Sequence, residues 1–192
     1  GADLVSAFVR AQAADASLTD GELIASCILL FAGGHETAVA FLGSALSRLL
    51  AQREAWEALR SDPRLIPAAV DELLRHDSPL QLFGRQARQD VDLGGRRIRR
   101  GQTVMVLVGA ANRDPARFPD PDRLDFGRRD NQHAAFGHGI HACLGRSMAR
   151  MRGQAALQVL VDRLPNLRLG PEPAVWRDNL SMRALDFLSV TW

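Results

Sequence analysis

Between residues 3 and 13, Leu4, Val5, Phe8 and Val9 recur at helical spacing and predict a helix. Thr19-Asp20-Gly21-Glu22 then has the form of a capping box, in which the Thr19 hydroxyl takes an early backbone N–H and Glu22 reaches back. No strong stop follows before Arg53, so the spacing predicts a helix of roughly 30 residues. Its first half, Leu23 to Ala32, is apolar on every face apart from Ser26, which is the pattern of a helix running through a core. A shorter helix covers Arg53 to Arg60 and is ended by Asp62-Pro63. Another covers Ala68 to His76, entered through Pro67 and stopped by Ser78-Pro79.

The period changes after Pro79. Residues Leu80 to Val108 read as short strands, with a hairpin turn at Gly94-Gly95 and a β-rich run Thr103 to Val108. Residues 109 to 135 are rich in Asn, Asp and Pro and predict a long coil with at most one short helix; loops of that length inside a domain are usually functional. Helix returns from Leu144 to Leu164, stopped by Pro165-Asn166, and Leu180 to Trp192 reads as strand. The expected class is mainly α with a small β-sheet, as a single domain over residues 1 to 192.

Composition narrows the function classes. The chain is 46% hydrophobic, enough for a sizeable core, and its 24 basic residues, all arginine, meet 22 acidic ones for a net charge of +2. That balance argues against nucleic acid as a partner, and the cluster Arg96-Arg97-Ile98-Arg99-Arg100 reads as a solvated hairpin edge. Leu23 to Ala32 falls short of the ~20 residues of a membrane span, so no membrane partner is expected. Cys27 and Cys143, far apart, suggest no disulfide framework and point to a reducing, cytoplasmic setting. The chain opens on Gly1 without a signal peptide, so an upstream segment or a processed terminus is expected.

The densest chemistry lies in Phe136-Gly137-His138-Gly139-Ile140-His141-Ala142-Cys143-Leu144-Gly145, a glycine-rich loop delivering Cys143 to a helix start. A helix N-terminus favours the thiolate, and Gly137, Gly139 and Gly145 let the backbone turn close to a flat ligand. Taken alone, a cysteine beside a glycine turn reads as buried and inert; the phenylalanine, three glycines and helix start in one window reverse that preference. His133, His138, His141 and Cys143 suggest zinc only weakly, since no second Cys stands near.

This window resembles the haem-binding signature of the cytochrome P-450 family, Phe-x-x-Gly-x-x-x-Cys-x-Gly, here Phe136, Gly139, Cys143 and Gly145. The resemblance implies that Cys143 is the axial thiolate of haem b and that His141 contacts a haem propionate. Three further segments fit in family order. Gly33-Gly34-His35-Glu36-Thr37 matches the family's (Ala/Gly)-Gly-x-(Asp/Glu)-Thr stretch in the long helix, implying a groove at Gly33 and Gly34 for dioxygen and substrate, with Glu36 and Thr37 relaying protons. On residues alone, the stretch reads rather as a helix kink packed against a neighbour, with Thr37 bonding to its own backbone. Glu72 and Arg75 match Glu-x-x-Arg, and the segment Phe118 to Arg123 resembles the coil whose Arg completes a Glu-Arg-Arg cluster, giving Glu72, Arg75 and Arg123 a structural role. Arg85 matches a propionate-binding Arg, where a guanidinium can hold a carboxylate in a bidentate fashion; without the resemblance it reads as well as a solvated strand Arg.

The resemblance covers nearly all of the chain, while the N-terminal half of family members has no counterpart in it. It implies the C-terminal, haem-ligating portion of a soluble bacterial-type monooxygenase acting on a small organic substrate with O₂. The electron donor would be a ferredoxin or flavodoxin-like partner docking near Cys143 on Arg75, Arg146 and Arg150. A largely apolar substrate cavity is expected around Phe31 to Ala40, Pro79 to Phe83 and Leu180 to Met182. The competing expectation is a truncated or degenerate member that binds haem weakly or not at all and self-associates through the exposed apolar face at Leu23 to Ala32.

Overall fold

The computed structural model describes residues 1–14 and 18–192, and the chain divides into two units, residues 1–36 and 37–192. The first unit contains α1 (Leu4–Ala14) and the start of α2 (Asp20–Ala51). The expected capping box is formed: the Thr19 N–H donates to Glu22 Oε2 at 2.8 Å and the Glu22 N–H donates to the Thr19 hydroxyl at 3.3 Å. Within this unit the stretch Leu23 to Ala32 has no buried residue, and Leu29 and Phe31 are 71% and 77% exposed. The apolar character continues past Gly33-Gly34 into the rest of α2. The membrane expectation therefore needs correcting in one respect: the run is short, but the helix that contains it is long and apolar enough to cross a membrane by length and composition.

In the second unit, α2 ends on buried Phe41, Ala45 and Leu49, followed by α3 (Arg53–Ser61), α4 (Ile66–His76), a one-turn α5 (Val108–Ala111) and α6 (Arg146–Arg163). Trp56, Leu59, Val70, Leu73, Leu157 and Val161 pack into one core with those α2 residues. Gly153 permits the close approach of α4 and α6, since a Cβ there would lie 2.8 Å from the Phe41 ring and 3.2 Å from Val70. The class is mainly α with little β-sheet, as expected, and among the described residues the strands pair as four two-stranded antiparallel ribbons: β1 (Leu82–Gln86) with β4 (Thr103–Leu107), β2 (Val91–Leu93) with β3 (Arg96–Ile98), β5 (Arg168–Leu169) with β8 (Val190–Thr191), and β6 (Val175–Trp176) with β7 (Leu185–Phe187). The β2–β3 turn is at Gly94 and Gly95, whose φ values of 57° and 74° belong to the left-handed region a two-residue hairpin requires. Arg97 in that hairpin pairs with Asp90 at 3.1 Å, in keeping with a solvated edge.

Candidate functional site

The loop carrying Cys143 is shaped by its own backbone. Gly137 and Gly139 take φ of +67° and +72°, and the Cys143 N–H donates to the Phe136 carbonyl at 2.8 Å, closing the loop on itself. A 3₁₀ turn over Gly139–His141 follows. Helix α6 starts at Arg146 rather than at Leu144, because Gly145 serves as its cap; Cys143 therefore precedes the helix, and its carbonyl accepts the Arg146 N–H at 3.4 Å.

Cys143 is exposed and flanked by Ile140 and Leu144, 97% and 86% exposed, and by the exposed side chain of His141. Around Gly139 and Gly145 no heavy atom lies within 4 Å of where a Cβ would stand. Among the described residues no group of three or more His, Cys, Asp or Glu side chains converges on a metal position. An exposed cysteine on a glycine-lined loop fits a metal that would bring most of its own donors, as haem iron would.

Behind the loop, α4 presents a buried ion pair. Glu72 and Arg75 are both fully buried, with Arg75 Nε and Nη2 donating to the two Glu72 oxygens at 2.8 Å each. The same carboxylate accepts the Asp125 N–H at 3.0 Å and Asn131 Nδ2 at 3.2 Å. The third guanidinium is a correction to the sequence expectation: Arg128, not Arg123, reaches Glu72, with Nε at 3.3 Å and a side chain only 9% exposed. Arg123 contributes its carbonyl, which accepts Arg75 Nη2 at 3.4 Å, while its own side chain is 70% exposed and faces Asp125. Arg75 Nη1 donates to the Asn112 carbonyl at 2.8 Å, and the buried Asn112 side chain takes the Ala134 N–H at 2.7 Å. A continuous hydrogen-bonded path thus runs from Glu72 to the residue two before Phe136.

Total burial also removes Arg75 from any docking surface, a second correction. Arg146 is exposed as expected; Arg150 is half-buried, with Nε donating to Asp71 at 2.7 Å. His133 is likewise taken up internally, its ring facing Asp71 at 3.2 Å. Burial raises the Asp71 carboxyl, but hydrogen bonds from His133 and Arg150 outweigh it and leave the carboxyl below its ordinary value.

A second buried carboxylate, Asp77, receives Arg48 Nε at 3.1 Å, Arg183 Nε at 2.8 Å and faces His76 Nδ1 at 2.9 Å. Burial pushes this carboxyl up, yet the His76 hydrogen bond and the Arg48 charge prevail and hold it well below the usual carboxylate range. The sequence reading missed Asp77, at the end of α4, and Asn112 and Arg128, an Asn and an Arg inside a polar coil; none of these positions names a partner.

Arg85 is exposed on β1, opposite Val104, with its guanidinium 4.4 Å from the Phe83 ring centroid. Gly33, Gly34, Glu36 and Thr37 all lie on α2, Thr37 half-buried and the other three exposed. A polar cavity of about 460 Å³ lined by Arg117, Asp120, Asp125, Arg128 and Asp130 contains none of the expected site residues except Arg123.

Comparison with known proteins follows the same lines. The profile of the family described as Cytochrome P-450 matches residues 1–165. The biotin biosynthesis cytochrome of that family from Bacillus subtilis is 42% identical over 190 residues, 99% of this chain and 48% of its own length. Mycinamicin IV hydroxylase/epoxidase from Micromonospora griseorubida is 44% identical over 195 residues, 99% of this chain and 49% of its own. Among solved structures, the tirandamycin C-bound monooxygenase TamI superposes with a TM-score of 0.93 at 44% identity, covering 99% of this chain and 48% of that one. The chain spans about half the length of the curated relatives it matches.

Proposed function

Since this chain belongs to the cytochrome P-450 family, we propose that it is the haem-ligating portion of a monooxygenase that inserts one atom of O₂ into an organic substrate, by hydroxylation or epoxidation. The observation that carries this reading is the exposed Cys143, grouped with no metal-binding cluster among the described residues, on a loop pinned by its own N–H to Phe136. Haem b, when bound through that thiolate, supplies the oxygen chemistry, because electron density from sulfur favours O–O cleavage.

The chain's own residues then divide the remaining work. Cys143 holds the iron; Phe136, Gly139 and Gly145 shape the loop; His141 and Arg85, both exposed, are suited to the haem carboxylates. Gly33 and Gly34 leave room beside α2, and Glu36 and Thr37, an acid and an alcohol in consecutive positions, hold and pass protons. Glu72, Arg75 and Arg128 brace the cysteine loop from within.

The substrate is a small organic molecule, and the apolar residues around Phe31 to Ala40, Pro79 to Phe83 and Leu180 to Met182 support an apolar one. A ferredoxin or flavodoxin-like donor supplies electrons at a face that includes Arg146. The cytoplasm suits two free cysteines. His35, Glu36 and Thr37 in the middle of α2 argue for a core helix over a membrane span, where ionisable groups are costly.

The test is the ferrous–carbon monoxide spectrum after haem is added. A thiolate-type Soret band that disappears in Cys143→Ala is the expected result, and a histidine-type spectrum from the unmutated protein overturns the assignment. The exposed stretch Leu23 to Ala32 supports a second reading, in which these 192 residues alone bind haem weakly or not at all. Oxygen-dependent turnover by residues 1–192 alone excludes it.

A further inference from the structure

Asp71 and Glu72 are consecutive on α4, yet they serve different partners. Glu72 turns into the cluster of Arg75 and Arg128, whereas Asp71 Oδ1 receives Arg150 Nε from α6 at 2.7 Å and faces His133 Nε2 at 3.2 Å. His133 is buried to 2% side-chain exposure, and its other nitrogen, Nδ1, lies 3.2 Å from the Ala135 N–H. A backbone amide can only donate, so Nδ1 is the acceptor and the ring proton is assigned to Nε2, aimed at Asp71.

Both partners of Asp71 then meet at one aromatic ring. The Arg150 guanidinium stands 4.7 Å from the Phe136 centroid, and the His133 ring is tilted against Phe136 at 5.8 Å between centroids. Phe136 is the residue whose carbonyl accepts the Cys143 N–H. The path from Glu72 through Arg75 and Asn112 enters the loop at Ala134, by a backbone amide. The path from Asp71 enters at the Phe136 side chain.

From this geometry we infer that Asp71, His133 and Arg150 form a second brace, which fixes the Phe136 ring and through its carbonyl the Cys143 peptide, so that Cys143 would be steadied as the residue that holds haem iron. These are positioning residues, since none of them touches the sulfur. The inference rests on the haem-thiolate reading above. It assigns Arg150 an internal task in place of a free docking charge, and it accounts for a histidine buried beside a glycine-rich loop. Outer partners of metal ligands commonly change metal affinity by about 10–100-fold when removed.

The experiment uses the haem-loaded full chain that contains these residues and reads the lifetime of the thiolate-type ferrous–carbon monoxide band, alongside the midpoint of thermal unfolding. Asp71→Ala, His133→Ala and Arg150→Ala are each expected to shorten that lifetime about tenfold, with the double variant Asp71→Ala/Arg150→Ala little worse than either single one. His133→Gln, whose amide can both donate to Asp71 and accept from Ala135, should restore most of the lifetime. Arg150→Lys keeps the charge on Asp71 but gives up the planar group over Phe136, and should fall between wild type and Arg150→Ala. Wild-type band lifetimes in all variants, with only the unfolding midpoint lowered, would overturn the brace. If the alanine variants do not fold, the ordering of His133→Gln above Arg150→Lys decides alone: a lifetime indifferent to both sinks the inference. A wild-type protein lacking the thiolate band altogether rejects the haem-thiolate reading instead, so the two failures are distinguishable.

Discussion

At the scale of single residues, the question is which charges the protein cannot lose. Glu72 is fully buried among Arg75, Arg128 and the Asp125 amide, so Glu72→Gln leaves guanidinium charge without a counterion and should cost about 3–5 kcal/mol in urea denaturation. The two candidate third arginines separate cleanly in the same assay. Arg128→Ala removes a nearly buried partner of Glu72 and should cost about 1–3 kcal/mol, whereas Arg123→Ala, with its exposed side chain, should stay within about 0.5 kcal/mol of wild type. The Glu72–Arg75 pair and the glycine turns before Cys143 were legible in the sequence because their spacing is local: a pair three apart on one helix, and glycines within ten residues. Arg128 was not, because it meets Glu72 across 56 positions through an irregular coil, where no period relates one residue to another. Arg75 was misjudged for a related reason. Spacing shows that a pair shares a helix face, and only packing shows whether that face meets water.

Between elements, contact depends on small residues and buried charge. The α4–α6 crossing leaves no space at Gly153, so Gly153→Ala must displace Phe41 or Val70 and should lower stability by about 1–3 kcal/mol, read as a reduced unfolding midpoint. Asp77 joins α2 through Arg48 and the segment before β7 through Arg183. Its carboxyl is held below 3.8, so its contribution is fully present above that pH and is lost as pH falls toward the folded value. Asp77→Asn should therefore be less stable at neutral pH and lose the acid limb of the stability curve below about pH 4, measured by denaturation across pH. The start of α2 was readable in advance, since the Thr19 capping box is written within four residues, whereas α6 begins two residues later than its apolar spacing suggested. The strand layout was not: β5, β6 and β8 are two residues each, too short for any alternation to register, and their partners are decided by packing of the tail.

For the molecule as a whole, the distribution of apolar surface governs behaviour in solution. Ile28, Leu29 and Phe31 on α2 are all more than half exposed, and a patch of that kind tends to find a partner. The isolated 192-residue chain should elute at increasing apparent size as its concentration rises, and Leu29→Glu with Phe31→Glu should suppress that growth without altering far-ultraviolet circular dichroism. The long coil from residue 109 to 135 behaves in the opposite way to its composition. Its amide at Ala134 is donated to a buried asparagine, and the adjoining loop's amide at Cys143 to Phe136. Deuterium should therefore replace the Ala134 proton more slowly than those of the exposed amides in the same coil, because its acceptor is buried against α4.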